Sequence, residues 1–316
     1  METRHSLRPM LSDRQRRERA ETLRRVLMQC TLCPHECLVN RLKGEHGVCR
    51  TTDELVISSA GPHFGEEPPL VGSHGSGTIF FASCNLKCQY CQNFEISQLA
   101  HGRRASIREL AEIMLHLEHQ GCHNINLVTP THVVPQIVEA LACAREQGLS
   151  VPIVYNCGGY ESLETIRMLE GIVDIYMPDI KYSDNDAARR YSCAPRYWDV
   201  VRVAVKEMHR QVGDLDIDAH GIARHGLLIR HLVLPNGLSG SARVMDFIAR
   251  EISRASYVNI MDQYRPAFRI GRHPELARRA TAAEFTAAVK EAEAQGLRRG
   301  FDRTGQAHHP RQFALQ

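Results

Sequence analysis

From about residue 76 onward, short β-branched runs alternate with longer amphipathic stretches. Six runs have the length and composition of buried strands: TIFFA (78–82), NINLVT (124–129), VPIVYN (151–156), VDIYMP (173–178), LLIRHLVL (227–234) and YVNIM (257–261). Four helix-length segments lie between them, at 106–121, 133–148, 161–171 and 241–256. Strands that alternate with helices pair in parallel, so the pattern predicts an α/β fold. Six units are too few for a closed eight-stranded barrel, which leaves an open partial barrel or a doubly wound sheet.

The two ends of the chain have a different pattern from the middle. Alternating basic and acidic residues in 12–25 indicate the solvated face of a helix, and 281–297 predicts a helix that begins at a capping box formed by Thr281 and Glu284. A second capping box, Ser106 with Glu109, begins the 106–121 helix. We therefore divide the chain into an N-terminal segment (1–70), an α/β core (71–280) and a C-terminal helix with a loose tail (281–316).

Composition limits the classes of protein that remain. The 316 residues are 43% hydrophobic and 24% charged, which is ordinary for an enzyme with a large core. A net charge of +3 is too small to make nucleic acid the expected partner. The chain has neither an 18-residue apolar run nor an apolar N-terminal stretch, so we expect no membrane span and no secretory signal. Eleven cysteines then favour a reducing compartment, with the cytoplasm as the default.

Three cysteines in eleven residues form the most informative motif. Cys84, Cys88 and Cys91 follow the first predicted strand directly, where parallel α/β folds place their active sites. Three thiolates can hold three irons of a [4Fe–4S] cluster and leave the fourth iron open, which is typical of a reactive metal centre. The alternative is a zinc knuckle that takes a fourth ligand from elsewhere.

A second group, Cys30, Cys33, Cys37 and Cys49, supplies four thiolates with the spacing C-x2-C-x3-C-x11-C. Zinc and a second iron–sulfur cluster both accept such a set, and the sequence does not distinguish them. Structural zinc is slightly favoured because the segment is short and poor in apolar residues.

The stretch CNLKCQYC (84–91) resembles the signature of the radical S-adenosylmethionine (SAM) enzymes, C-x3-C-x-aromatic-C. The resemblance implies a partial (β/α)6 barrel whose [4Fe–4S] cluster binds SAM at the open iron. It also implies cleavage of SAM to methionine and a 5′-deoxyadenosyl radical that abstracts hydrogen from a substrate. Tyr90 occupies the aromatic position that packs near the adenine in that family.

Longer stretches, GEEPPLVGSHGSGTIFFASCNLKCQYCQN and CTLCPHECLVNR, look like the PflX group, relatives of the pyruvate formate-lyase activating enzymes. That resemblance places Asp179 and Lys181 near SAM and substrate, and Asn156 where the activating enzymes carry a SAM-contacting aspartate. Their Gly-Gly-Glu segment after the second strand is absent here. The contact with the SAM amino group would then come from the backbone or from hydroxyls such as those of Thr129 and Thr131.

Other polar residues are weaker candidates for the same active site at the carboxyl ends of the strands. His231 lies in the fifth predicted strand, while Glu66 and Glu67, before the first, either cap the site or face solvent.

Two classes of function follow. The first is a radical SAM enzyme, with flavodoxin or ferredoxin as electron donor and a glycyl-radical-activase-like protein substrate as one option. The second is a non-catalytic iron–sulfur protein that carries electrons or senses redox state. A zinc module that binds nucleic acid is disfavoured by the balanced charge.

Overall fold

The computed structural model describes residues 11–301. Its strands are β1 (Leu55–His63), β2 (Ser76–Phe81), β3 (Arg103–Ala105), β4 (Ile125–Val128), β5 (Ile153–Cys157), β6 (Ile175–Pro178), β7 (Asp216–Ile217), β8 (Ala223–Leu232) and β9 (Tyr257–Met261). Its helices are α1 (Asp13–Val26), α2 (Pro68–Val71), α3 (Phe94–Ser97), α4 (Ile107–His119), α5 (Val134–Glu146), α6 (Leu163–Met168), α7 (Asn185–Ser192), α8 (Tyr197–Val212), α9 (Ser241–Phe247) and α10 (Ala282–Ala294).

The centre of the fold is a parallel sheet of six strands, β2-β4-β5-β6-β8-β9, which are the six predicted from the sequence. Within residues 11–301 the first and last of these strands do not pair with each other, so the sheet stays open. The predicted α/β class is therefore confirmed. The open arrangement brings the carboxyl ends of all six strands to one edge.

Helix starts agree with the local signals in the sequence. The side chains of Ser106 and Thr281 each accept a hydrogen bond from the backbone of the residue three positions on, and Glu109 and Glu284 complete both predicted capping boxes. The helices α4 and α5 then bury their apolar faces, with Leu110, Met114 and Leu141 among the core residues. The predicted loose tail beyond residue 301 lies outside the described residues.

The sequence analysis did not predict seven elements: β1, β3, β7, α2, α3, α7 and α8. Strand β1 pairs antiparallel with β2, and its half-exposed residues include glycine and proline, which weaken a strand signal. Helices α7 and α8 are separated by a short turn in which Cys193 and Arg196 both have positive φ. Helix α8 packs against α6 and α7 and against strands β6 and β8. No helix in the described range 11–301 is both long and apolar enough to cross a membrane.

Candidate active site at the carboxyl ends of the strands

The loop of residues 84–91 leaves β2 at its carboxyl end and is held by the backbone of α7. Lys87 N donates to Ser192 O at 2.9 Å, and Gln89 N donates to Tyr191 O at 2.7 Å. The turn closes on itself where Cys91 N donates to Cys88 O. Two bonds to the last residues of α7 therefore fix the path of the loop that carries the three cysteines.

Each of the three thiols has a polar neighbour. Leu86 N donates to Cys84 Sγ at 3.3 Å, Ser192 Oγ donates to Cys88 Sγ at 3.0 Å, and Cys91 Sγ lies 3.0 Å from Ser97 Oγ. Burial raises the pKa of Cys84 to about 12 and that of Cys88 to about 11, so both are neutral thiols without a metal.

The donor chemistry of loop 84–91 fits an iron–sulfur cluster. Within residues 11–301, no three side chains of histidine, cysteine, aspartate or glutamate already converge in a coordinating arrangement. Three soft thiols on one short loop are nevertheless the ligands that iron–sulfur clusters take, and bound iron deprotonates such thiols. The N–H and O–H groups beside the sulfurs would stabilise the resulting thiolates.

A buried charged group lies beside this loop. Asp179 Oδ2 accepts from Lys181 Nζ at 2.5 Å, and Asp179 Oδ1 accepts from Arg230 Nε at 2.7 Å. Arg230 Nη2 donates to Asn156 Oδ1 at 2.7 Å. The side chains of Asp179, Lys181 and Arg230 each keep 14–17% exposure, so the group is only partly shielded from solvent.

Electrostatics connect this charged group to the cysteines. Burial raises the pKa of Asp179, but Arg230 and Lys181 outweigh it and hold the pKa below its ordinary value. The Lys181 ammonium is close enough to the loop to lower the pKa of Cys88. The structure thus brings Cys88, Asn156, Asp179 and Lys181 together at this edge of the sheet.

Glu66 and Glu67 lie under Arg230 and do not face solvent, with side-chain exposures of 8% and 5%. They lie 3.7 and 3.8 Å from Arg230 Nη1, and Glu67 Oε1 accepts from Asn259 on β9. Burial, with the neighbouring Glu67 charge, raises the pKa of Glu66 to about 7. These carboxylates compensate the buried guanidinium and link it to the last strand.

The two predicted threonines have different surroundings. Thr129 has positive φ, and its N–H donates to Asn156 O at 2.9 Å, which places it beside the charged group. Thr131 is fully buried and donates its hydroxyl to Glu161 Oε1 at 2.8 Å. Glu161 also accepts from Tyr155, and burial raises its pKa to about 7. The Thr131 hydroxyl is therefore committed to Glu161.

Tyr90 is buried, with its ring edge-to-face against Tyr182 and Tyr264. Its hydroxyl lies 2.7 Å from that of Tyr182. Contact with adenine stays a prediction, because the structure contains no ligand.

The knuckle segment, defined as residues 30–49, carries the second cysteine group. Cys30 N donates to Val39 O, and Leu38 N donates back to Cys30 O, which folds the segment into a tight turn. Val48 N donates to Cys37 Sγ at 3.4 Å. Burial raises the pKa of Cys33, and the Cys49 and Cys30 thiols raise it further, so these three thiols interact electrostatically.

The knuckle segment packs directly on loop 84–91 and on the loop and helix that follow β5. His35 Nε2 lies 2.9 Å from Asn85 O, next to Cys84, and the His35 ring contacts the Tyr160 ring edge-on. Thr165 Oγ1 on α6 donates to Leu32 O at 3.0 Å. The two cysteine groups therefore belong to one contiguous region.

The residue that sequence reasoning missed at this site is Arg230. The sequence analysis chose its neighbour His231, but successive residues of a strand point to opposite faces. His231 is fully buried and bonds to Ile180 O and Ser241 Oγ, away from the charged group. An isolated arginine within the apolar run LLIRHLVL was the signal that could have identified it.

Comparison with known proteins agrees with this geometry. The chain is 33% identical over 289 residues to an uncharacterised protein of Methanocaldococcus jannaschii, covering 88% of this chain and 78% of the other. It is 28% identical over 137 residues to the pyruvate formate-lyase-activating enzyme of Clostridium pasteurianum, covering 42% of this chain and about half, 55%, of that one.

Two solved structures are similar at lower levels. Streptococcus suis SuiB bound to precursor peptide SuiA has a TM-score of 0.47 at 11% identity, over 67% of this chain and 44% of that one. Native anSMEcpe with bound AdoMet has a TM-score of 0.44 at 11% identity, over 67% and 57%. The family model described as "Radical SAM superfamily" matches residues 78–223, which include loop 84–91 and five of the six parallel strands in whole or in part. The chain belongs to the radical SAM superfamily.

Proposed function

We propose that the protein is a PflX-like radical SAM enzyme that abstracts hydrogen from a protein substrate. Membership of the superfamily implies a [4Fe–4S] cluster and SAM. The observation that carries the proposal is the position of loop 84–91 beside the group of Asp179, Lys181 and Arg230 at the carboxyl ends of the strands. When bound, the reduced cluster supplies the electron that cleaves SAM to a 5′-deoxyadenosyl radical, which abstracts the hydrogen.

The charged group is suited to a zwitterionic amino acid such as the methionine part of SAM. Lys181 and Arg230 can bind a carboxylate, and Asp179 can bind an ammonium. Asn156 fixes the Arg230 guanidinium through its side-chain oxygen, and the backbone of Thr129 in turn holds the Asn156 carbonyl. In this proposal Asp179 and Lys181 act next to the reacting atoms, while Tyr90, Thr129, Thr131 and Asn156 shape the cofactor site.

A protein substrate is supported by two separate observations. The relative from Clostridium pasteurianum is named for activating pyruvate formate-lyase, which is itself a protein. In addition, four large hydrophobic side chains are exposed in or beside the knuckle segment: Met28, Leu38, Leu42 and Val48. Clustered exposed apolar residues are typical of a protein-binding surface. A low-potential carrier, flavodoxin or ferredoxin, is the electron donor in this proposal.

The knuckle segment is proposed to hold a metal centre, either zinc or a second iron–sulfur cluster. Three of its thiols interact electrostatically, and Cys37 Sγ accepts an N–H bond of the kind that stabilises a ligating thiolate. The Arg41 side chain is buried, with Nη1 3.9 Å from Cys30 Sγ, which adds a positive charge beside that sulfur. Four thiolates held together without metal would repel one another.

SAM cleavage is the direct test. The protein is purified without oxygen, reconstituted with iron and sulfide, reduced and mixed with SAM, and 5′-deoxyadenosine is measured. We expect production by the wild type and by Cys143→Ala, a cysteine on α5 outside both groups, and none by Cys88→Ala. If electron paramagnetic resonance shows a reduced cluster that does not respond to SAM, the protein is an electron carrier and the proposal is wrong.

A further inference from the structure

A buried chain of hydroxyl groups ends on the sulfur of Cys88. Ser192 Oγ donates to Cys88 Sγ at 3.0 Å and lies 2.8 Å from the hydroxyl of Tyr182. The Tyr182 hydroxyl also donates to that of Tyr90 at 2.7 Å. Ser192 is fully buried, and Tyr90 and Tyr182 are 4% and 0% exposed, so water does not compete for these bonds.

The hydrogen bonds in this series of hydroxyl groups have a direction once Cys88 is a thiolate. Within residues 11–301, the three hydroxyls contact one another and the sulfur but no further acceptor. Hydroxyl protons rotate to suit their acceptors, so Tyr182 can donate to Ser192 instead of to Tyr90 while Ser192 donates to the sulfur. Hydrogen bonds in such a series polarise one another, and a low dielectric strengthens them.

We propose that Tyr182 and Ser192 form a hydroxyl relay that raises the reduction potential of the cluster at loop 84–91. This inference rests on the proposed function. One electron entering a [4Fe–4S]2+ cluster makes the cluster and its thiolates more negative, and no bond breaks. Donors aimed at a ligand sulfur stabilise the more negative state, so they favour reduction.

The surroundings of α7 explain how the relay stays in place. Its last residues, Tyr191 and Ser192, also supply the two carbonyls that hold the backbone of loop 84–91. The ring of Tyr182 is fixed by edge contacts with Tyr90 and Tyr197. Ser192 and the backbone of the cysteine loop are therefore held by the same helix, and the distance from Ser192 Oγ to Cys88 Sγ does not depend on an exposed loop.

Removal of single hydroxyls tests the relay by redox titration. Ser192→Ala deletes the donor to the sulfur, and Tyr182→Phe deletes the middle hydroxyl while keeping the ring. The matched control is Tyr191→Phe, whose ring stacks on Tyr182 but whose hydroxyl bonds to Glu275. The reconstituted proteins are titrated with dithionite, and the reduced cluster is followed by electron paramagnetic resonance.

We expect the cluster potential to shift downward in Ser192→Ala, by a smaller amount in Tyr182→Phe, and not in Tyr191→Phe. A cluster that assembles in Ser192→Ala and Tyr182→Phe with the wild-type potential would overturn the relay while leaving SAM cleavage intact. A wild-type protein that assembles no cluster, or one that does not respond to SAM, would instead overturn the proposed function. Should Ser192→Ala fail to fold, the comparison of Tyr182→Phe with Tyr191→Phe still decides.

Discussion

The two cysteine groups differ in what holds them in place. Loop 84–91 is fixed by contacts from outside the loop, because the backbone of the distant helix α7 binds it and hydroxyls from α7 and the adjacent α3 reach its sulfurs. The knuckle segment is held chiefly by its own turns, and four large apolar side chains in or beside it are exposed. The protein therefore shapes the first site in advance, whereas the second depends on what its thiols bind.

Loss of the metal should affect the knuckle segment far more than loop 84–91, and this is the largest difference that we expect between the two regions. We expect Cys37→Ser to lose the metal of the knuckle segment and to become sensitive to proteolysis within residues 30–49, while loop 84–91 stays protected. Zinc contributes on the order of 10 kcal/mol to the folding of small zinc-binding peptides, so the local effect should be large. Limited proteolysis and metal analysis of the same samples measure it. Cys143→Ser is the control, and an unchanged metal content in Cys37→Ser would contradict the comparison.

The free energy of unfolding should depend on pH through Glu161, a buried carboxyl that follows β5. Its negative charge raises the pKa of Cys33, and burial raises its own pKa from 4.5 to about 7. Between pH 4.5 and 7 the carboxyl is protonated in the folded protein but ionised when unfolded. The contribution of Glu161 to the free energy of unfolding is therefore fully present below pH 4.5, and it is lost as the pH rises through 7. For a pKa shift of this size, the total change in the free energy of unfolding is about 3 kcal/mol.

Glu161→Gln should flatten part of this slope, because the amide does not titrate. Denaturant unfolding at a series of pH values between 4.5 and 8 measures the slope. The control is Glu164→Gln, a change at an exposed carboxylate on α6. If the free energy of unfolding changes with pH equally in Glu161→Gln and in the wild type, Glu161 does not cause the pH dependence. A residual slope in Glu161→Gln is expected, since burial also raises the pKa of Glu66 to about 7.

Close packing around Cys37 offers a finer test of the knuckle segment. A Cβ on Gly47 would lie 2.7 Å from Cys37 Sγ, so Gly47→Ala must displace the sulfur or the backbone. Overpacking of this kind costs about 1–3 kcal/mol, and we expect the metal affinity to fall about tenfold or more. Competition with a chelator measures the affinity. Gly61→Ala, on β1 where a Cβ meets nothing within 4 Å, should leave it unchanged. Unaltered affinity in Gly47→Ala would place the metal away from Cys37.

The parallel sheet and the cysteine loop could be predicted because both are local signals. Each parallel strand is a short apolar run, and Cys84, Cys88 and Cys91 follow the first of them. Helix starts at Ser106 and Thr281 were equally local. Features that depend on neighbours within a few residues are thus accessible without a structure.

The rest of the site depends on contacts between residues far apart in the chain. Ser192 reaches Cys88 across 104 positions, and Thr131 reaches Glu161 across 30. Arg230 was missed although its strand was predicted, because the choice between Arg230 and His231 depends on which face of β8 lines the barrel. The pattern alone did not fix that choice, since both faces of a parallel strand are buried.

The smallest effect should come from the hydrogen bond that joins the two regions. Burial lowers the pKa of His35, so the ring is neutral and its Nε2–H donates to Asn85 O at 2.9 Å. Loss of this bond in His35→Ala should cost about 1 kcal/mol of unfolding free energy. Because Asn85 adjoins Cys84, the spectrum of the reduced cluster should also change slightly. His46→Ala, at an exposed position of the knuckle segment, is the control. If His35→Ala lowers stability but leaves the spectrum unchanged, the knuckle segment packs on the barrel without influencing the cluster loop.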